Sequence, residues 1–479
     1  MSPSIPVVTP ELSTVPAWRV FLRSADHRLI RAGLTALLGI AIARYLGPEE
    51  FGLLSSAVGM ASILLAFSSL GLDRLVREEV EGHPTDSATI LGTAMGLRLA
   101  AAGLAYLVLL IAAPAHHPGL RLVWLVASLA TLSHIPLTVE CWLSAKKQTR
   151  PCTLALNVGF GLTVLLSLAF MWNGVSAVWF AAVLALEAPF AALLIFHAYG
   201  KLAPNEDTFD WSTPLAKRWV RRCWSTVAVN VAVVGLLQLN PVLLAWIRGP
   251  LEAGRYAAAS RFFEVICFGI VGLSVVRMTR IREARGAKDL DFAALAPVMA
   301  NAARTAWCFA IVAAGTALWA MSLIFGQTYN GSALTFGILS FALIPQVLSL
   351  VGVEALPSRE GEEQRVLRTA GVGLGLNLVL GCWWSVWWGA PGAAAAGLVG
   401  SIAAHLIMPR FDPATRELAR VRLAVLTFRN PFPAQEPLVA VPAAPISSAP
   451  SLSKDSPDSL NPLPGESLKT KVAGTPQSL

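Results

Sequence analysis

The strongest constraint on the fold is a series of apolar stretches, each about 20 residues long, which is the length of helix that crosses a bilayer. The chain has 479 residues, of which 55% are hydrophobic and 14% are charged. Soluble proteins carry about 25% charged residues, so this much apolar surface does not fit inside a water-soluble globule. The sequence therefore predicts an all-α, polytopic membrane protein.

Twelve spanning helices are predicted from these stretches, and most of them contain no more than two charged residues. We number them as spans 1 to 12. They cover about residues 29–46, 51–72, 88–113, 122–143, 152–172, 175–196, 223–247, 256–276, 297–325, 332–353, 369–388 and 390–409.

The distribution of basic residues predicts the orientation of the spans. With the N-terminus on the cytoplasmic side, 27 Lys and Arg residues fall in cytoplasmic segments and four in outward loops. Cytoplasmic loops of membrane proteins carry such an excess, so both termini are predicted to be cytoplasmic. The formal net charge of +8 follows from this topology. It does not indicate a nucleic-acid partner, because the basic residues are scattered over separate loops.

The spans form two sets of six, separated by a polar linker. We expect the following organisation: a cytoplasmic N-terminal segment at 1–24, a first six-helix bundle at 25–198, a cytoplasmic linker at 199–222, a second six-helix bundle at 223–410 and a cytoplasmic tail at 411–479. From residue 430 onward the tail holds ten prolines and eight serines, a composition typical of disorder.

The motif G-P-x-E-x-G follows the first span of each set. Its residues are Gly47, Pro48, Glu50 and Gly52 in the first copy, and Gly249, Pro250, Glu252 and Gly254 in the second. Six spans lie between the copies, and an even number returns the chain to the same side of the membrane. We therefore expect two parallel six-helix repeats around a central cavity. Glycine, proline and glutamate suit a helix end followed by a helix start, so the motif is expected to form a turn and not an active site.

Four segments resemble, in the same order, the polysaccharide-biosynthesis flippases of the Wzx type. They are IARYLGPEEFGLLSSAVGMASILLAFSSLGLDRLVREE (42–79), GPLEAGRYAAASRF (249–262), LIFGQTYNGSALTFGIL (323–339) and GAPGAAAAGLVGS (389–401). The resemblance extends over about residues 25–410. It implies the fold of the multidrug/oligosaccharidyl-lipid/polysaccharide exporter superfamily.

The resemblance also implies an activity, which is the transfer of a lipid-linked oligosaccharide from the cytoplasmic to the outer leaflet of a bacterial plasma membrane. The expected partners are this substrate, membrane lipids and other polysaccharide assembly proteins. The seventh helix of the family often carries an acidic residue where this chain has Gln238 and Asn240. That departure argues against acid-dependent ion coupling at this helix.

A flippase must shelter an anionic diphosphate-linked sugar, which requires cationic and hydrogen-bonding groups in the membrane interior. Charged residues at the bilayer centre cost roughly 2.5–3.5 kcal/mol each, so the few that lie within spans are the candidates. The predicted cavity residues are Arg98, Arg261, Arg304, Glu187 and Asn240.

Each candidate also has a structural alternative. An arginine can extend its head group to the membrane surface or pair within the bundle. Arg261 has Glu264 three residues on, on the same helix face, which favours an ion pair. Glu187 suits a proton or cation role, or a buried pair with an arginine. Asn240 precedes Pro241, so that a kink is predicted there, either as part of a gate or as a static feature.

Two other functions remain open. The first is a cation- or proton-coupled antiporter of the same superfamily, although no predicted span has an aspartate in its middle. The second is a membrane glycan polymerase or ligase, which the short outward loops argue against. The chain has neither a P-loop motif nor a CxxC pair among its six cysteines. We therefore expect a transporter and not an enzyme, without a cofactor or metal.

Overall fold

The computed structural model describes residues 27–83, 86–113, 117–202, 209–285, 292–355, 362–412 and 415–426. All regular elements within these ranges are helical. The predicted N-terminal segment at 1–24 and the predicted disordered part of the tail lie outside the described residues.

The helices of the first six spans are here called the first lobe. Its helices are α1 (His27–Ser68), α2 (Leu72–Gly82), α3 (Ser87–Ala112), α4 (Pro118–Ser128), α5 (Ala130–Ser133), α6 (Val139–Ala145), α7 (Thr149–Asn173) and α8 (Ala177–Leu202). A 3-10 turn, Ile135–Thr138, joins α5 to α6. Helix α1 covers spans 1 and 2. Gly47, with φ 74° and ψ 173°, breaks the helix between them.

The helices of the remaining spans are called the second lobe. Its helices are α9 (Thr213–Ile247), α10 (Pro250–Arg285), α11 (Phe292–Gly315), α12 (Ala317–Phe325), α13 (Ala333–Ala355), α14 (Glu362–Trp388) and α15 (Ala390–Ile402). After α15 come a π-helical turn, Ala403–Ile407, and a 3-10 turn, Met408–Arg410. A short helix, α16 (Arg416–Leu426), follows.

Eleven helical segments of the described chain are long and apolar enough to cross a membrane. The first of them, Gly33–Gly82, has 50 residues and contains the break at Gly47, so it makes two crossings. The total of twelve agrees with the prediction. Large apolar side chains such as Ile111, Leu193 and Val379 are strongly exposed, as expected for helices that face lipid.

The two G-P-x-E-x-G turns pack directly on each other. A β carbon on Gly52 would overlap the carbonyl oxygen of Pro250, and a β carbon on Gly254 would overlap the carbonyl oxygen of Pro48. The contact is reciprocal, as expected for two repeats related by a local two-fold axis. Glycine is required at both positions because the backbones are in contact.

The motif glutamates do equivalent work in the two lobes. Glu50 Oε2 accepts a hydrogen bond of 2.9 Å from the N–H of Ala177, at the start of α8. Glu252 Oε2 accepts one of 2.8 Å from the N–H of Ala390, at the start of α15. Each glutamate thus caps the sixth span of its own lobe, where a carboxylate satisfies a free N–H and favours the helix dipole. This repeated bond supports the parallel arrangement of the lobes.

Helix α9 belongs to both lobes. Near its start, Trp219, Cys223 and Val227 are buried in a cluster with Leu72 and other residues of the first lobe. Two turns further on, Gly235 faces Leu374 of α14 in the second lobe. The helix that enters the second lobe is therefore anchored at its start in the core of the first.

Helix α16 packs its apolar face on the second lobe and carries one buried cation. Arg422 is buried, and its Nη1 donates a 2.9 Å hydrogen bond to the carbonyl oxygen of His405 in the π-helical turn. Burial lowers the pKa of Arg422 to about 10, which leaves the guanidinium charged at neutral pH. The bond fixes α16 to the end of span 12.

Candidate functional site

A cavity of about 350 Å³ lies within the first lobe. It is bounded by the end of α1, by α2 and α3, and by the segment from α5 to α6. The polar groups that line it include Ser68, Ser69, Arg77, Arg98 and His134. The cavity lies on the predicted cytoplasmic side, since α2 connects spans 2 and 3 there.

Arg98 is the buried cation of this cavity. Its Nη2 lies 2.7 Å from Asp73 Oδ1, and its Nη1 donates a 2.8 Å hydrogen bond to Thr138 Oγ1. The same carboxylate oxygen accepts a bond from Cys141 Sγ at 3.2 Å. The Arg98 side chain is 8% exposed, whereas that of Asp73 is 61% exposed. The pair therefore consists of a fixed, buried cation and a counter-ion that reaches water.

Glu187 forms an ion pair with Arg31, across spans 6 and 1. The Arg31 guanidinium also lies 5.3 Å from the centre of the Phe160 ring, in span 5. Both side chains are half-buried. This geometry corresponds to the alternative in which Glu187 forms a buried pair with an arginine. Arg31 also connects three spans of the first lobe.

The two other charged candidates, Arg261 and Arg304, lie in the second half of the chain. Arg261 pairs with Glu264 at 2.9 Å on α10, which is the pair that their spacing indicates. The stem of Arg261 packs beside Gly39 of α1, where a β carbon would lie 3.5 Å from its Cδ. Arg261 thus belongs to the contact between the lobes. Arg304 is exposed on α11 and forms no ion pair with a described residue.

Asn240 is fully buried in the second lobe. Its Nδ2 donates a 2.9 Å hydrogen bond to the hydroxyl of Tyr256. Its Oδ1, and both amide atoms of Asn377 in α14, have no hydrogen-bond partner among the described residues. Gly397 of α15 leaves room for this group, since a β carbon there would lie 2.9 Å from Asn240 Nδ2. Helix α9 continues through Pro241, so the residue lies within an unbroken helix.

The five predicted residues do not form one site. Arg98 and Glu187 lie in the first lobe, Arg261 at the lobe contact, Asn240 inside the second lobe and Arg304 on the surface of α11. Their roles in substrate binding stay predictions. The sequence reasoning missed Asp73 and Asn377. The signal for Asn377 is an amide in the middle of an apolar span.

Comparisons with known proteins place the chain in a family. The family model for polysaccharide biosynthesis proteins matches residues 27–276. No curated protein sequence matches the chain significantly.

Two solved structures share the fold. The first is the lipid II flippase MurJ in an inward closed conformation, with a TM-score of 0.59 and 12% identity; the match covers 85% of this chain and 94% of that one. The second is an inward-facing multidrug resistance MATE family transporter of the MOP superfamily, with a TM-score of 0.56 and 14% identity, covering 83% and 96%. At these identities the likeness concerns the fold alone. Because the family model matches just over half of the chain, the protein belongs to the polysaccharide biosynthesis protein family.

Proposed function

We propose that the protein moves an oligosaccharide linked to a polyprenyl diphosphate from the cytoplasmic to the outer leaflet of a bacterial plasma membrane. The match to polysaccharide biosynthesis proteins over residues 27–276 carries this proposal. The fold shared with a lipid II flippase supports it. The substrate's partners in this scheme are the surrounding lipids and the proteins that build and polymerise the sugar.

The first-lobe cavity suits the diphosphate. Arg77 and Arg98 supply cations there, beside the carboxylates of Asp73 and Glu140. The hydroxyls of Ser68 and Ser69, which donate to the carbonyl oxygens of Leu65 and Ala66, would turn towards the phosphate. Its volume of about 350 Å³ accommodates a diphosphate and part of the first sugar, while the lipid tail stays in the bilayer. Guanidinium groups bind phosphate oxygens in a bidentate manner.

Asp73 acts as an exchangeable counter-ion in this mechanism. Without substrate, it neutralises Arg98, which would otherwise be a costly buried charge. Because Asp73 is 61% exposed, its carboxylate can turn towards water when a phosphate takes its place. Arg98 then pairs with the substrate phosphate and remains neutralised.

Alternating access requires the lobes to separate at one end at a time. The packed turns at Gly52 and Gly254 hold the predicted outer ends together, which corresponds to an inward-directed cavity. Release to the outer leaflet would need these turns to part while the opposite ends of the lobes approach.

The second candidate is a cation- or proton-coupled antiporter for small molecules. The likeness to a MATE family transporter favours it. Glu187, which lies in the middle of a predicted span of the first lobe, is engaged by Arg31, and the seventh span has the neutral Asn240. These features make the flippase the better-supported proposal.

The test is a flipping assay in proteoliposomes with a fluorescent polyprenyl-diphosphate oligosaccharide. Arg98→Ala is expected to slow flipping about tenfold or more, since a charge-assisted contact is worth about 1.5–3 kcal/mol. Arg420→Ala removes an exposed arginine of α16, outside the first lobe, and is the matched control.

A gene deletion tests the same proposal in cells. It is expected to leave lipid-linked repeat units in the cytoplasmic leaflet. Normal arrival of these units at the outer leaflet would refute the proposal. A deletion that changes only the sensitivity to cationic drugs would favour the antiporter.

A further inference from the structure

The start of α9 extends beyond the membrane core and carries a dense group of basic residues. The helix has 35 residues, about 52 Å of length, against about 30 Å of hydrocarbon. Its first turns contain Lys217, Arg218, Arg221 and Arg222. All four line a cavity of about 980 Å³ beside these turns, together with Trp211 and Val220.

The four cations divide into two groups. Arg218 and Arg222 face α2, where Arg218 Nη2 lies 2.7 Å from Glu79 Oε1 and Arg222 Nη2 lies 3.8 Å from Glu78 Oε2. Lys217 and Arg221 are one turn apart, exposed, and form no ion pair within the described part of the chain. Two neighbouring positive charges of the cavity therefore lack a counter-ion among the described residues.

The same part of α9 exposes apolar groups. Trp224, three residues after Arg221, is 72% exposed, and Val220 is 52% exposed. Tryptophan is enriched where the bilayer meets water, because one part of its ring system is apolar and its N–H is polar. Cations and exposed apolar groups side by side fit a ligand that has both an anionic and a hydrophobic part.

The wall of the cavity is held in place by the first lobe. The Trp211 ring packs against Gly96 of α3, where a β carbon would lie 2.5 Å from ring atom Cζ3. Its Nε1 donates a 3.1 Å hydrogen bond to Thr213 Oγ1. The next residue, Ser212, donates its N–H to Thr93 Oγ1 at 3.0 Å. The segment that leads into α9 is thus fixed to the first lobe, and the other lining residues lie on the first turns of α9 itself.

We propose that this cavity binds the head group of an anionic phospholipid from the cytoplasmic leaflet. Lys217 and Arg221 contact the phosphate, and Val220 and Trp224 contact the glycerol and the first acyl carbons. A zwitterionic lipid would leave the two cations without net compensation. A free phosphate would leave the apolar groups unused. The proposal does not depend on which substrate the protein transports.

The test measures lipid binding to the purified full-length protein by native mass spectrometry, with phosphatidylglycerol and phosphatidylcholine as probes. A basic residue near an anionic lipid surface contributes about a fivefold gain in affinity. Lys217→Gln/Arg221→Gln is therefore expected to weaken phosphatidylglycerol binding by about 30-fold, with phosphatidylcholine binding unchanged.

The matched control is Arg416→Gln/Arg420→Gln, which removes two exposed basic residues one turn apart on α16 and is expected to leave binding within twofold of wild type. The charge-preserving Lys217→Arg/Arg221→Lys should also retain binding, which separates lost charge from misfolding. Wild-type affinity in Lys217→Gln/Arg221→Gln would overturn the proposal, as would an equal loss in the α16 variant. Loss in the charge-preserving variant, or displacement of the lipid by millimolar inorganic phosphate, would overturn it too.

Discussion

Gly52 of the first lobe and Gly254 of the second lie back to back where the two G-P-x-E-x-G turns meet. A β carbon on Gly52 would lie 2.7 Å from the backbone nitrogen of Gly254, and one on Gly254 would lie 3.0 Å from that of Gly52. The lobes therefore touch through their backbones at this point. The glycines of the repeated motif permit this close backbone contact. The motif therefore has a structural role in both copies.

Gly52→Ala is expected to lower the Tm of the purified protein by several degrees, because the new methyl group overlaps the Pro250 carbonyl and must push the turns apart. Overpacking of this kind costs about 1–3 kcal/mol. Gly33→Ala in the same helix is the control, since a β carbon at Gly33 meets nothing within 4 Å. Its Tm is expected to be unchanged or slightly higher, as alanine favours helix by about 1 kcal/mol. Equal Tm values for the two variants would contradict the contact.

Glu50→Ala is expected to loosen the start of α8, because the N–H of Ala177 loses its acceptor. A lost cap costs about 0.5–2 kcal/mol. Hydrogen exchange followed by mass spectrometry would detect faster exchange in the first turn of α8. Glu49→Ala, which removes the exposed neighbouring carboxylate, should leave that exchange at the wild-type rate. A wild-type exchange rate in Glu50→Ala would show that this hydrogen bond does not stabilise the start of α8.

The Arg98–Asp73 pair predicts strong energetic coupling. Each single change, Arg98→Ala or Asp73→Ala, removes the ion pair, and Asp73→Ala also leaves a buried charge. The double variant should therefore be less destabilised than the sum of the two single variants, by about 0.5–3 kcal/mol in a double-mutant cycle. Thermal unfolding of the three variants provides the measurement. Additive losses would mean that the side chains do not interact.

Glu187→Gln tests whether this carboxylate stabilises the first lobe or couples transport to an ion. Because Glu187 is the partner of Arg31, Glu187→Gln is expected to lower the Tm. A second change, Arg31→Gln, should restore part of this loss by removing the unpaired cation. Flipping in the double variant should then recover together with stability. A variant with wild-type Tm but no transport would instead assign Glu187 to ion coupling.

The spans and the repeat could be predicted because they depend on local composition and on the spacing of a short motif. The Arg261–Glu264 pair was also accessible, since residues three apart share a helix face. The other contacts link distant positions: Arg98 and Asp73 are 25 residues apart, and Arg31 and Glu187 are 156 apart. Such pairs depend on which faces of the helices meet. In this chain the positions of glycine and alanine largely determine which helix faces meet. Their spacing in one sequence does not show which other helix each face contacts.

Helix α9 limits how the two lobes can move. Trp219, Cys223 and Val227 fix its beginning in the first lobe. Further along, the helix contacts both lobes: Gly235 faces Leu374 of the second, while Gly59 of the first packs on the carbonyl of Gln238 and on Val242. In the proposed mechanism, α9 would therefore have to slide along Gly59 or bend before the two lobes could part.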